Sequence, residues 1–119
     1  MEGKETLHQR LEILEQSGLI EKHTTEQTDK IIGLLYGKGH EPDMEKMETF
    51  ITHIAMAMQR IQNSEYEQPL AKEVLEDLKT EAFYEEAKKL AQEIYGIVDI
   101  EFPQAERDYL IVHLCNLLS

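Results

Sequence analysis

The sequence predicts an all-α chain folded as a compact helical bundle, about five core helices preceded by an N-terminal one. Apolar residues recur at three- and four-residue intervals nearly throughout, and strict alternation over the length of a strand is absent. The composition, 41% hydrophobic and 30% charged with three prolines, supplies enough apolar material to offset the ordering entropy of one folded domain.

The elements follow in chain order. A first helix is expected from Lys4 to Ser17, with Leu7, Leu11 and Leu14 on one face and Gly18 suited to a left-handed C-terminal cap. It is separable from the rest, so residues 1–20 are read as an N-terminal helix packed on the bundle and residues 21–119 as the main helical domain. Thr24 or Thr25 can cap a second helix that runs to Tyr36, buries Ile31, Ile32, Leu34 and Leu35, and is stopped by Gly37 and Gly39. Asp43 is the expected N-cap of a long third helix reaching Gln62, with Lys46 rather than Glu three residues on, so no capping box forms.

Pro69 suits the first position of a short helix to Leu78, and Thr80 can cap the next one, which runs to Tyr95 and ends at Gly96. After the connector Ile97 to Phe102, Pro103 opens a last helix through Leu118. That helix is apolar on most of its circumference, the pattern of one central to a bundle.

Charge excludes several functions. With 24 acidic and 12 basic residues the net charge is −12, a field that repels phosphate backbones and anionic lipid head groups. The basic residues are scattered among acidic neighbours, so neither direct nucleic-acid binding nor a membrane contact is expected. The single cysteine, Cys115, permits no internal disulfide and fits a reducing compartment. Met1 to Arg10 has no apolar segment of the export type, and no apolar run is long enough to span a bilayer, so the expectation is a cytoplasmic protein.

Two helices carry candidate chemistry. On the third, Met47, Phe50, Ile51, Ile54, Met58 and Ile61 form an apolar stripe at 100° per residue, while Thr49, His53, Met56 and Arg60 fall outside it. That second, mixed surface suits contact with another protein. On the last helix Leu110, Ile111, Leu114, Leu117 and Leu118 make the apolar face, and Glu106, Tyr109, His113 and Asn116 line its flank. Polar groups on so apolar a helix point to a hydrogen-bonded seam or a functional edge.

A neutral imidazole is a nitrogen nucleophile at neutral pH and can accept a phosphoryl group; the added charge could pair with an arginine such as Arg60 and be repelled by carboxylates. His8, His23 and His40 lie near helix ends or in connectors with nothing clustered around them and are read as solvated. Glu85 and Glu86 are read as part of a solvated face. No metal or other cofactor is expected: His113 and Cys115 are two apart on a helix and diverge, and there is no CxxC, HExxH, phosphate-binding loop, dinucleotide fingerprint or serine elbow. No catalytic residue is assigned, and an enzyme lacks support.

The segment METFITHIAMAMQRI from Met47 to Ile61 resembles the first histidine helix of the PTS regulation domain, or PRD, family, notably as it occurs in sigma-factor activators. His53 stands at the phosphoacceptor position and Arg60 at the arginine seven residues on. QPL at Gln68 to Leu70, FYEEA at Phe83 to Ala87, and FPQAERDYLIVHL from Phe102 to Leu114 follow in the family's order. The last of these places His113 at the second phosphoacceptor position with Glu106 upstream. The resemblance implies a helical receiver, phosphorylated by the phosphocarrier HPr or a sugar-specific enzyme IIB, with its histidines at or near a homodimer interface. Larger members join such domains to an RNA-binding antiterminator, a DNA-binding domain or an ATPase. This sequence has no such output segment, so any effect on transcription or metabolism would pass through an unidentified partner protein or through competition for the donor. The alternative is a helical dimerisation or protein-interaction module that is not phosphorylated, for which an exposed Met56 beside His53 is the best support.

Overall fold

A computed structural model describes residues 2–38, 43–65 and 67–119. Among the described residues there are six helices and no strand: α1 (Glu2–Gln16), α2 (Lys22–Gly37), α3 (Met44–Gln62), α4 (Lys72–Leu78), α5 (Tyr84–Ile97) and α6 (Gln104–Leu118). The all-α expectation holds.

Local chemistry sets the boundaries. α1 ends at Gly18, whose φ of 80° lies in the left-handed region. The Gly18 N–H donates to the Glu15 carbonyl and the Leu19 N–H to the Leu14 carbonyl, both at 3.0 Å, which closes the end in a Schellman motif. α2 starts two residues ahead of Thr24, so neither threonine is its cap. The Thr24 hydroxyl donates to Gln59 Oε1 at 2.6 Å from a fully buried position, and the Glu21 N–H reaches the same oxygen at 2.8 Å. Thr25 instead donates to Glu15 Oε1 at 2.7 Å. α2 stops at Gly37, while Gly39 and His40 lie outside the described residues.

Asp43 caps α3 as expected, its carboxylate accepting the Lys46 N–H at 3.3 Å. α4 begins at Lys72, not Pro69; the chain stays extended through Ala71, whose ψ is 147°, a conformation that the φ imposed by proline permits equally well. Thr80 does not cap α5 either. Its hydroxyl donates to the Asp77 carbonyl at 2.6 Å, closing α4, and α5 starts only at Tyr84. Gly96 is carried inside α5, which runs one residue further. Pro103 is the extended residue before α6 rather than its first helical one.

Packing joins these helices around one core. α3 lies against α1, α2 and α6, α2 also meets α5, and α6 fits between α3 and α5. The last helix is thus a middle layer, and α2 and α3 hold the more central places. Leu7 and Leu11 of α1, Ile31 and Ile32 of α2, Ile51 and Met58 of α3, Ile94 of α5 and Leu114 of α6 are all fully buried in the same cluster. The radius of gyration, 13.9 Å, matches the roughly 13.5 Å expected for one compact domain of this length.

A histidine pair across the seam of α3 and α6

The α3 stripe turns Ile51, Ile54 and Met58 inward, which leaves His53 exposed on the edge of the helix nearest α6. On α6 the burial of Leu110, Leu114 and Leu117 places His113, half-buried, on the facing flank. The two rings meet there. Their Nδ1 atoms lie 3.1 Å apart, their centroids 4.2 Å apart, and the planes are inclined by 43°. Residues 60 apart in sequence are thus joined by a hydrogen bond between imidazoles.

A second pair joins the same helices. Arg60 donates from Nε to one oxygen of Glu106 at 3.2 Å and from a terminal nitrogen to the other at 3.1 Å, a forked ion pair. Glu106 is 3% exposed. Its hydrogen bonds hold the guanidinium pKa above the ordinary arginine value. Arg60 follows His53 by seven residues and Glu106 precedes His113 by seven, so α3 and α6 run antiparallel with two fastenings two turns apart.

Electrostatics at the pair favour the uncharged form of His113. Burial, then the neighbouring His53, then Arg60 push the His113 pKa down to about 4. The rings line an open cavity of about 320 Å³ together with Lys46, Thr49, Phe50 and Asn116. Lys46 is also fixed there by donating from Nζ to the Ser119 carbonyl at 2.6 Å.

Of the residues singled out in the sequence, the structure brings together His53 with His113 and Arg60 with Glu106. Tyr109 is half-buried on the same flank of α6 and Asn116 is exposed at the cavity edge; among the described residues neither side chain is hydrogen-bonded to the imidazoles. Met56 is not the exposed residue that the helical projection suggested: it is half-buried and packs on the core, because α6 covers that side of α3. His8 and His23 are not free either, lying 2.7 Å from Asp29 and 2.8 Å from Asp99. Two contributors escape a sequence reading. Lys46 stands seven residues before His53 and was detectable by helical spacing; Glu67, 3.7 Å from Arg60, comes from a connector and carried no signal.

A larger cavity of about 610 Å³ lies away from the histidines, between α2, α5 and the end of α6. Its walls are Leu35, Leu90, Leu117 and Leu118, and its flanking Lys38 and Glu93 are paired with each other at 2.7 Å. Among the described residues no group of three or more His, Cys, Asp or Glu could hold a metal ion, and no helix is long and apolar enough to cross a membrane.

An all-α domain with two imidazoles opposed across one helix seam is the class that fold and site define. Residues 30–117 match the model of the PRD domain, and the chain belongs to that family. It is a regulatory domain of PRD type. A relative, the uncharacterized protein YhfY of Escherichia coli K12, is 27% identical over 109 residues, 91% of this chain and 91% of that protein. No solved structure matches the chain.

Proposed function

We propose that this domain is phosphorylated on His53 or His113 by the sugar phosphotransferase system, through HPr or an enzyme IIB, and acts on transcription or metabolism through a partner protein. One observation carries the reading: two imidazoles from different helices meet in an open cavity, beside a lysine and backed by an arginine. Neutral rings are the nucleophilic form, and burial favours that form at His113. Lys46 lies on the cavity wall, where its charge favours an incoming phosphoryl group. The added charge falls on the seam between α3 and α6, so it bears directly on how two core helices pack. The net charge of −12 argues against a direct grip on nucleic acid and for a protein target. A homodimer in the cytoplasm, formed through the surface near the histidines, fits the same reading.

The test is acid-labile phosphate incorporation from phosphoenolpyruvate with enzyme I and HPr, and then with an enzyme IIB, into the wild type, His53→Ala and His113→Ala. Incorporation lost or reduced in either folded variant is expected. Equal labelling of wild type and both variants, or none from any donor, would remove the assignment.

A further inference from the structure

Resting on that reading of the pair, we infer that the phosphoryl group is taken on Nε2, never on Nδ1, and that a chain accepts one such group at a time because the two rings share one proton. The geometry that carries this is the face-to-face placement of the two Nδ1 atoms at 3.1 Å. A neutral imidazole has one N–H and one lone pair. Two facing lone pairs repel and two facing N–H groups collide, so a bond at this distance needs Nδ1–H on one ring and a bare Nδ1 on the other.

With both rings neutral, their tautomers are therefore opposite. The ring that donates through Nδ1 has its lone pair on Nε2. The ring that accepts at Nδ1 has its proton on Nε2 and no lone pair there. Only one ring at a time presents a nucleophile, and it does so at Nε2; each Nδ1 is occupied by the other ring.

The step balances within the pair. The Nε2 lone pair of the donating ring attacks the phosphorus on the donor protein's phosphohistidine or phosphocysteine. The new N–P bond forms as the old bond to phosphorus breaks, and the electron pair of that bond leaves with the donor's nitrogen or sulfur. The attacking ring, now carrying substituents on both nitrogens, passes its Nδ1 proton to the facing Nδ1. The second ring is then an imidazolium with two N–H groups and no lone pair. It cannot attack, and the phosphoryl dianion beside it holds its proton in place. Arg60 and Lys46 supply further positive charge near the pair, while Asp43, Glu45 and Glu106 are the surrounding carboxylates; Glu106 is already committed to Arg60. The second histidine is a positioning residue and proton acceptor in this scheme.

Two measurements on the full chain test it. In protein labelled with ¹⁵N-histidine, long-range ¹H–¹⁵N spectra of the unmodified form should show one Nδ1–H and one Nε2–H ring for His53 and His113, or their fast average. Finding both rings as ordinary Nε2–H tautomers would overturn the shared proton. The same sample is then treated to saturation with phosphoramidate, and separately with enzyme I, HPr and phosphoenolpyruvate. One phosphoryl group per chain by intact mass, with the nitrogen–phosphorus coupling on Nε2, is expected. In His113→Asn and His53→Asn, where an amide oxygen can accept the Nδ1–H bond but not the proton, labelling of the remaining histidine should stay on Nε2 and slow roughly tenfold or more. Two groups per chain, coupling on Nδ1, or unchanged rates in both Asn variants would overturn the inference while leaving phosphorylation standing. No incorporation from any donor, with the opposed tautomers intact, would remove the phosphoacceptor reading and this inference with it.

Discussion

Arg60 holds Glu106 by both carboxylate oxygens, at 3.1 and 3.2 Å, across the seam between α3 and α6. The carboxylate side chain is 2% exposed and the guanidinium side chain 33%, so the acid depends on the arginine for its charge to be tolerated while the arginine can fall back on water.

Removing the arginine should therefore cost more than removing the acid's charge. Arg60→Met strands a buried carboxylate and is expected to lose about 2–4 kcal/mol, below the full figure for a buried pair because the guanidinium is partly solvated. Glu106→Gln keeps an acceptor and should lose about 1–2 kcal/mol. Urea unfolding followed by circular dichroism checks both, with the midpoint moving and the slope unchanged. Equal losses would mean that the burial of Glu106 is not what makes the pair costly to break.

The His113 pKa, pushed from 6.5 down to about 4 mainly by burial, makes stability depend on pH with a definite sign. Between those values the unfolded chain binds a proton that the folded chain refuses, so stability is fully present above about pH 6.5 and falls as pH drops toward 4. His113→Asn should flatten this part of the profile. Urea midpoints at pH 7, 6 and 5 for the wild type and the variant make the comparison, the carboxylates being common to both. A wild-type profile no steeper than that of the variant would contradict the assignment.

Gly18 should tolerate no side chain without loss. Its φ is 80°, and a Cβ there would meet nothing within 4 Å, so the cost of Gly18→Ala is conformational alone. About 1 kcal/mol is expected, with Gly18→Asn losing less. Thermal melting of the three proteins would show the order.

Gln59 is the buried centre of a polar knot away from the seam of α3 and α6. Its Oε1 accepts from the Thr24 hydroxyl and the Glu21 N–H, and its Nε2 donates to Asn63 at 3.1 Å. Gln59→Leu leaves those donors unpaired and should cost about 1–3 kcal/mol, whereas Thr24→Val in the Gln59→Leu background should recover part of it. A double-mutant cycle by urea unfolding reads the coupling directly; strict additivity would mean that the two side chains do not depend on each other.

The fold class was legible because a helix repeats its buried face every three to four residues, and the stripe through Met47, Ile51, Ile54 and Met58 repeats well. Asp43 and Gly18 were legible for a different reason: a cap and a left-handed terminus are settled within a few residues. Thr24 and Thr80 defeated the same logic. Each has a hydroxyl suited to capping, but Thr24 bonds the distant Gln59, and Thr80 bonds back to Asp77 at the end of the preceding helix. At the site, helical projection put His53 off the apolar stripe and His113 on the α6 flank, but it could not say that the two flanks meet. That follows from the antiparallel placement of α3 and α6, a property of tertiary packing. The same placement covers Met56, which a projection of α3 alone leaves facing solvent.

The two fastenings between α3 and α6 differ in strength along the seam, and that difference gives the helix pair a grain. At one end a half-buried guanidinium and a buried carboxylate clamp it. At the other, beyond the imidazoles, the polar link among the described residues is the exposed bond from Lys46 to the main-chain oxygen of Ser119. A disturbance at the imidazoles would meet a stiff side and a yielding one, so the helices would part like the jaws of a clothes peg, pivoting on Arg60 and opening at the start of α3 and the end of α6. Labels placed on residues 45 and 116 would separate further than labels placed beside Arg60.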